Sequence, residues 1–152
     1  MISKNQLKKI CTSFRIAIEQ ANFEKLFHKR SLLNNFPYAC CGTTTSLLRY
    51  YLRELGIETR EFGLNYKDVT HAILKYKNWI IDLTADQFAG EHRPKVFVDE
   101  EDDFYKSMSV IAEYDFYDFI QEKELDPWCD MTHAVYVHDY NVIIKKIQCL
   151  DL

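Results

Sequence analysis

The sequence predicts an α+β fold in a single domain spanning residues 1–152. This length is usual for one domain, and a hydrophobic share of 47% is enough to bury a sizeable core. Two amphipathic helical patterns come first, and three short segments with strand character follow them. Helices and strands in separate runs are typical of α+β folds.

The first predicted helix covers about residues 4–21. Ser3 and Gln6 have the spacing of a capping box. Apolar residues then recur every three or four positions, at Leu7, Ile10, Phe14, Ala17, Ile18 and Ala21. The next segment, residues 31–39, lacks a regular period, and Pro37 disfavours a helical Phe36, so we expect an ordered loop there.

The second helix is predicted to begin at or just after Cys41. Residues 43–46 are of the type that caps a helix start, and Gly56 supplies a left-handed stop. Between them one apolar face is formed by Leu47, Leu48, Tyr51, Leu52 and Leu55. This face predicts a central, buried helix.

Three strands are predicted next, at residues 57–64, 70–76 and 79–83. The last two are joined by a tight connection. If Tyr76 pairs with Trp79, His71 and Asp82 become diagonal neighbours that project from the same side of the sheet. Diagonal neighbours stand about 7 to 8 Å apart at the backbone, which allows an imidazole and a carboxylate to meet.

The remaining residues have weaker patterns. Residues 95–98 resemble a short strand, and residues 103–122 fit a helix whose apolar positions, Ile111 among them, point inward. Residues 132–149 fit either a helix or a strand, because they contain many β-branched residues at a spacing that also suits a helix.

Charge and composition exclude several classes of partner. The net charge is −4 and the basic residues are scattered, so we expect no nucleic acid partner. No segment approaches the roughly 18 apolar residues of a membrane span, and the N-terminus has no apolar signal core, which predicts no membrane partner and a cytoplasmic location. The five cysteines lack the paired spacing of a zinc site, so we expect free thiols and neither a metal nor a cofactor.

Cys41, His71 and Asp82 are the candidate catalytic residues. A thiol is a weak nucleophile until its anion is stabilised, and a helix N-terminus or a neighbouring imidazolium lowers a thiol pKa most. Both features are predicted at Cys41. His71 would accept the thiol proton and later donate it to the leaving group, while Asp82 would hold the imidazole by its other ring nitrogen.

Cys40 is the alternative nucleophile. Cys41 is preferred because Gly42 directly follows it, which leaves room for a substrate backbone and frees the next N–H. A redox-sensing pair formed by Cys40 and Cys41 is disfavoured, since disulfides between adjacent cysteines are strained.

Three further residues are candidates for binding the oxyanion or the substrate. Asn34 or Asn35 would donate a side-chain amide to an oxyanion, or would instead order its own loop. Gln87 would orient Asp82 or cap the turn that follows it. The sequence leaves these alternatives open.

A resemblance to a known family rests on three motifs. They are Phe36-Pro37-Tyr38-Ala39-Cys40-Cys41-Gly42, His71-Ala72, and Ile80-Ile81-Asp82-Leu83-Thr84-Ala85-Asp86-Gln87-Phe88. Over about residues 34–88 the chain resembles the transglutaminase-like branch of the papain-like cysteine enzymes, in particular small bacterial and phage members. The resemblance implies a cysteine at the N-terminus of a central helix that packs on an antiparallel sheet, with flanking helices, and it implies the catalytic roles of Cys41, His71 and Asp82. Ala39 stands where the family tends to have glycine, Thr43 where an aspartate tends to follow the next glycine, and Ile73 where the family tends to have tryptophan.

The predicted function is cysteine-dependent acyl transfer through a thioester. The outcome would be hydrolysis, deamidation or transamidation of a protein, peptide or small amide substrate. The alternative is a catalytically silent binding or immunity-type protein with the same fold. Its aromatic surface around Trp128 and Tyr136 would then recognise a protein partner.

Overall fold

The computed structural model describes the backbone of residues 1–122 and 127–150, and the side chains of residues 1–122 and 132–150. Within these ranges the strands of one five-stranded sheet are β1 (Arg60–Tyr66), β2 (Val69–Tyr76), β3 (Trp79–Asp82), β4 (Phe97–Glu100) and β5 (Ser109–Tyr114). Their order is β4-β3-β2-β1-β5, and every neighbouring pair is antiparallel. Together with the helices described below, this sheet confirms the predicted α+β class.

Helix α1 spans Lys4–Phe23 and begins with the predicted capping box. The Ser3 hydroxyl accepts a hydrogen bond from the Gln6 N–H at 3.1 Å, and the Gln6 side chain accepts one from the Ser3 N–H at 2.9 Å. The buried face consists of Leu7, Cys11, Phe14, Arg15, Ala17, Ile18 and Ala21. A charged residue, Arg15, therefore lies on the face that packs into the core.

Helix α2 spans Cys41–Glu54, so the predicted start at Cys41 is confirmed. Cys40 is its N-cap residue and makes no side-chain cap hydrogen bond. Gly56 follows the helix with φ +81°, a left-handed conformation that glycine adopts without the steric cost of a Cβ. Leu47, Leu48 and Leu52 of the predicted face are buried, as expected for a central helix, whereas Leu55 is the C-cap residue and is exposed.

The β2–β3 hairpin has the predicted register. Its cross-strand pairs are Tyr76 with Trp79, Lys75 with Ile80, and Leu74 with Ile81. Because β2 continues beyond the end of β3, Thr70 and Ala72 have no strand beside them on that side. The first turn of α2 occupies this edge. The Cys41 Sγ lies 4.0 Å from the Thr70 carbonyl oxygen, and the hydroxyl of Thr45, one turn further along α2, donates to the Ala72 carbonyl at 3.4 Å.

The prediction of a single helix over residues 103–122 is wrong. That region forms a short helix, α3 (Asp103–Lys106), followed by β5. β5 pairs with β1 from Glu61 opposite Tyr114 to Asn65 opposite Ser109, which gives the backbone of β1 hydrogen-bond partners on its second side. This long-range pairing overrides the helical spacing, and Ile111, predicted to point inward, is exposed.

The other predictions for this part of the chain are resolved by the structure. The strand predicted at residues 95–98 is β4, displaced slightly towards the C-terminus, and β1 likewise lies later than predicted. Residues 132–149, for which helix and strand were both open, belong to helix α4 (Pro127–Leu150). In the described residues no helix combines the length and the apolar character that crossing a membrane requires.

The sheet separates two apolar clusters. Residues of α1, α2 and α4 pack on one face, where Leu74 and Ile81 contribute from the strands. The opposite face carries Phe62, Leu64, Ile73, Ile80 and Tyr105, against which Phe97, Phe104 and Met108 pack. Alternation along β2 and β3 thus gives buried apolar residues on both faces.

Candidate active site

His71 and Asp82 are in direct contact in the core. The His71 Nε2 lies 2.5 Å from the Asp82 Oδ2, and both side chains are buried. The contact follows from the hairpin register, which makes these residues diagonal neighbours on one side of the sheet. The Cys41 thiol lies close enough to the same imidazole for its hydrogen-bonding and charge to lower the pKa of the thiol. The structure thus brings together the three residues that the sequence proposed as a catalytic unit.

Asp82 is held by donors on both carboxylate oxygens. Its Oδ1 accepts a hydrogen bond from the Thr84 N–H at 2.9 Å, and its Oδ2 accepts one from the Tyr105 hydroxyl at 2.8 Å. Tyr105 lies on α3 and is buried. These bonds fix the orientation of the carboxylate and, through it, the orientation of the His71 ring.

The surroundings of Cys41 and His71 favour an ion pair. Burial opposes ionisation of the Cys41 thiol, but the hydrogen bond and charge of His71 outweigh it. Backbone hydrogen bonds from Ala72 and Gly42 act in the same direction, and the pKa of Cys41 falls below its usual value. Burial also opposes a charged imidazole, yet the charge and hydrogen bond of Asp82 raise the pKa of His71 to about 9. Both shifts act towards the same ion pair, because each favours the charged form of its group, the thiolate and the imidazolium.

Phe88 covers the imidazole. Its ring meets the His71 ring edge to face with the centroids 4.9 Å apart. Tyr66 and Phe104 pack against Phe88 at 5.1 and 5.7 Å. This aromatic group excludes water from one side of the imidazole, which strengthens its interaction with Asp82.

The structure shows the surroundings of two residues at which the chain departs from the family that it resembles, Ile73 and Ala39. Ile73 projects from the same face of the sheet as His71 and is fully buried in the apolar cluster there, and Phe88 provides aromatic cover for the His71 ring. Ala39 has φ +55°, a left-handed conformation that costs a residue with a Cβ about 1 kcal/mol. Glycine would adopt this conformation without that cost.

Cys40 and Cys41 have different surroundings. Cys40 is 1% exposed, and burial raises its pKa to about 11 although the Thr44 hydroxyl lies 3.7 Å from its sulfur. Cys41 is partly exposed, and a Cβ added to the neighbouring Gly42 would meet no atom within 4 Å. The space in front of the helix start is therefore open. This geometry favours Cys41 over Cys40 as the nucleophile.

The loop before α2 does not bring its asparagines to the sulfur. The Asn34 side chain donates to the His28 carbonyl at 3.0 Å, and the Asn35 carbonyl accepts from the Tyr38 N–H at 2.8 Å. Both residues are exposed, and neither lines the cavity at Cys41. The oxyanion role considered for Asn34 and Asn35 is therefore corrected, since their hydrogen bonds order their own loop.

Gln87 contacts the imidazole and not Asp82. Its Nε2 lies 3.3 Å from the His71 Nδ1 and 3.5 Å from the Thr84 hydroxyl. Because the Nε2 of the ring faces Asp82, the Nδ1 is the nitrogen left to exchange a proton with Cys41. Gln87 therefore lies beside the atoms between which the proton moves.

Two residues that support the site were missed by the sequence argument. Tyr105 carried no signal, because its contact with Asp82 joins distant segments. Arg15 pairs with both carboxylate oxygens of Asp86 at 2.7 and 2.8 Å and donates to the Leu83 carbonyl at 2.7 Å. Arg15 thereby ties α1 to the segment that carries the site. A charged residue within the apolar stripe of the first helix was the signal available for it.

A cavity of about 370 Å³ opens beside Cys41. Its walls include Cys41, Gly42, Thr70, Glu61, Tyr114 and Tyr136. Tyr136, considered with Trp128 as part of a partner-binding surface, packs against Tyr117 and Phe119 with ring centroids 5.3 and 5.5 Å apart. The Trp128 side chain lies outside the described residues.

Comparison with known proteins adds no relative. No family model, curated protein or solved structure matches this chain. The resemblance to the transglutaminase-like branch therefore stays a prediction, and the chemistry of the site is argued from its geometry alone.

Proposed function

We propose that the protein is a cysteine-dependent acyl-transfer enzyme with a papain-like, transglutaminase-type fold. The observation that supports this most is the chain of contacts from the Cys41 thiol through His71 to Asp82 beside an open cavity. A thiol at a helix N-terminus, an imidazole and a buried carboxylate are the groups that nucleophilic thiol catalysis requires.

The first half of the reaction forms a thioester. The Cys41 thiolate attacks the carbonyl carbon of an amide, and the carbonyl oxygen becomes an oxyanion. The His71 Nδ1 then gives its proton to the amide nitrogen while the C–N bond breaks, which releases an amine and leaves the imidazole neutral. Asp82 keeps the ring in place throughout and stabilises the charged form that exists before the transfer.

The N-terminus of α2 is suited to the oxyanion. The first hydrogen bond of the helix runs from the Thr44 N–H to the Cys40 carbonyl, so the N–H groups of Cys41 and Gly42 have no intrahelical acceptor. The Gly42 backbone hydrogen-bonds the sulfur. The Cys41 N–H can donate to the substrate oxygen, and the positive end of the helix dipole adds to this stabilisation.

The second half of the reaction regenerates the enzyme. Water or an amine attacks the thioester carbon and passes its proton to His71, and the C–S bond then breaks to restore the thiolate beside the imidazolium. Water gives hydrolysis or deamidation, and an amine gives transamidation.

Acylation of Cys41 tests the proposal directly. The protein is mixed with p-nitrophenyl acetate, quenched in acid and digested, and each cysteine is assayed for acetylation by mass spectrometry. Cys41 should be acetylated in a rapid burst that His71→Ala abolishes. Cys149→Ser is the control, because Cys149 is an exposed thiol on α4 away from the site, and it should leave the burst unchanged. Acetylation of Cys41 no faster than that of Cys149 would contradict the proposal.

Alkylation by iodoacetamide gives an independent test of the ion pair. Because the pKa of Cys41 is lowered by His71, Cys41 should react at pH values at which an ordinary thiol is protonated. In His71→Ala this advantage over Cys149 should disappear. Equal labelling of the two cysteines from about pH 5 to pH 9 would instead favour a binding protein that keeps the fold without turnover.

A further inference from the structure

Glu61 is a buried carboxylate for which the proposed reaction has no use. It lies on β1, lines the cavity beside Cys41, and is 7% exposed. Among the described residues no hydrogen bond or ion pair engages its carboxylate. Burial raises its pKa to about 7, and the charge of Arg49 opposes this only in part. The Arg49 guanidinium instead donates to the carbonyls of Tyr114 and Thr59 at 3.1 and 3.0 Å.

The charges around the cavity favour a cationic ligand. Of the described residues that line it, Glu61 is the one with a carboxyl group, and none has a basic side chain. The adjoining site adds the Cys41 thiol and the Asp82 carboxylate to the single imidazole of His71. A buried carboxylate is costly unless a positive group pairs with it. Without such a partner Glu61 is held partly protonated, as its raised pKa indicates, and a cation bound in the cavity would supply the partner.

Two tyrosines line the same cavity as this carboxylate. The Tyr136 hydroxyl hydrogen-bonds the side chains of Thr43 and Ser46, which holds its ring against α2. The Tyr114 ring lies over Gly63. A Cβ added at position 63 would be only 2.6 Å from the Tyr114 hydroxyl. Glycine at position 63 thus makes room for this ring. Aromatic rings beside a carboxylate are typical of sites that bind alkylammonium groups.

Glu61 is close enough to Cys41 for one small molecule to contact both. Glu61 pairs with Leu74 and Gly63 pairs with Ala72, so Glu61 and Ala72 are diagonal neighbours about 7 to 8 Å apart at the backbone. The Ala72 backbone hydrogen-bonds the Cys41 sulfur. A linear substrate that reacts at Cys41 therefore needs a spacer of only a few atoms to place a terminal group at Glu61.

We propose that Glu61, with Tyr114 and Tyr136, forms a subsite for the ammonium group of a linear alkylamine that reacts at Cys41. Its role in turnover rests on the proposed function, whereas the binding itself does not. The ammonium belongs either to the acyl donor or to a diamine acceptor. In the second case one nitrogen binds Glu61, and the other, uncharged, attacks the thioester carbon. That nitrogen passes its proton to His71 as the C–S bond breaks.

Binding is measured without turnover. A Cys41→Ala protein, which cannot form a thioester, is titrated with cadaverine and, separately, with uncharged pentanediol. The amide signals of Gly63 and Ala72 are followed by NMR. Cadaverine should shift these signals, pentanediol should not, and Glu61→Gln should raise the Kd for cadaverine at least about tenfold.

A matched variant separates the subsite from a general effect of charge. Glu113 is an exposed glutamate on β5 whose side chain pairs with Arg60, so Glu113→Gln makes the same change in net charge away from the cavity. It should leave the Kd unchanged. Equal Kd values in the two variants, or no binding of cadaverine at all, would overturn the inference even if Cys41 proves to be catalytic.

Turnover then distinguishes the two sources of the ammonium. If it belongs to an acceptor, cadaverine should speed deacylation of acetylated Cys41 and yield N-acetylcadaverine. If it belongs to the donor, p-nitrophenyl esters of an ω-amino acid should have a higher kcat/KM than neutral esters of equal length. In Glu61→Gln, whichever of these two effects the wild type shows, faster deacylation by cadaverine or higher kcat/KM for the amino esters, should fall about tenfold. A wild-type reaction that shows neither effect would refute the subsite. Cadaverine binding that depends on Glu61, without acylation of Cys41, would support the subsite and contradict the proposed enzyme.

Discussion

Replacement of Glu61 by glutamine should stabilise the protein at alkaline pH, because it removes a buried group that must ionise. In the fold, burial raises the pKa of Glu61 from 4.5 to about 7, and the charge of Arg49 offsets only part of this rise. Between these two values the folded state binds more protons than the unfolded state. The stability of the wild-type protein must therefore fall as the pH rises through this window.

The size of the effect follows from the same two values. A pKa raised from 4.5 to about 7 corresponds to about 3 kcal/mol of unfolding free energy once Glu61 is ionised in both states. Glutamine has nearly the same shape and does not titrate. The difference in unfolding free energy between Glu61→Gln and the wild type should therefore grow by about 3 kcal/mol from about pH 4 to pH 8.

Urea denaturation at matched pH values measures this difference. Other groups that titrate in the same range, His71 foremost, contribute to both proteins and cancel in the comparison. Glu113→Gln is the control, because the hydrogen bond with Arg60 lowers the pKa of Glu113, and its pH trend should be small and of opposite sign. A difference for Glu61→Gln that stays constant across this range would refute the conclusion that the carboxylate is buried without a partner.

Two further substitutions test the residues that hold the site. Tyr105→Phe keeps the packing of the ring but removes one donor to Asp82, so acylation of Cys41 should slow by roughly tenfold or more, with a shifted pH profile of kcat/KM. Arg15→Leu leaves Asp86 without its buried partner, so it should lower the unfolding free energy by roughly 3 kcal/mol in urea denaturation. An unchanged pH profile in the first variant, or an unchanged urea midpoint in the second, would contradict these roles.

The hairpin and the start of α2 could be predicted because local rules determine both. A tight connection between strands restricts the register, and the register decides on which side of the sheet His71 and Asp82 project. The position of Cys41 at the helix start followed from the cap-type residues after it. The contact between His71 and Asp82 is therefore a consequence of sequence features that span only a few residues.

β5 could not be predicted in the same way, because its partner strand is distant in the chain. Residues 103–122 have the apolar spacing of a helix, and nothing within that segment indicates the free edge of β1. Once β1 and β2 have paired, the unpaired N–H and C=O groups of β1 favour a strand at residues such as Val110. Hydrogen bonds to the distant strand β1 therefore determine that residues 109–114 form a strand.

Glu61 gave no signal because its position follows the normal alternation of a strand. Phe62 and Leu64 alternate with Glu61 and Gly63, a pattern typical of one buried face and one solvated face. In the structure, however, α2 packs over the second face, and the buried Glu61 lines a cavity there with the partly buried Tyr136. Whether a polar strand position meets solvent depends on helices that the strand sequence does not specify.

The early end of β3 connects the candidate catalytic residues with the acidic cavity. Because β3 ends at Asp82, the chain turns there and leaves the edge of β2 at Thr70 and Ala72 free for the first turn of α2. A β3 longer by about two residues would pair with this edge and displace Cys41 from it, since one strand edge can be hydrogen-bonded only once. On its other side β2 pairs with β1, which carries Glu61. A ligand lying over β2 and β1 would thus contact the thiol at one end and the buried carboxylate at the other.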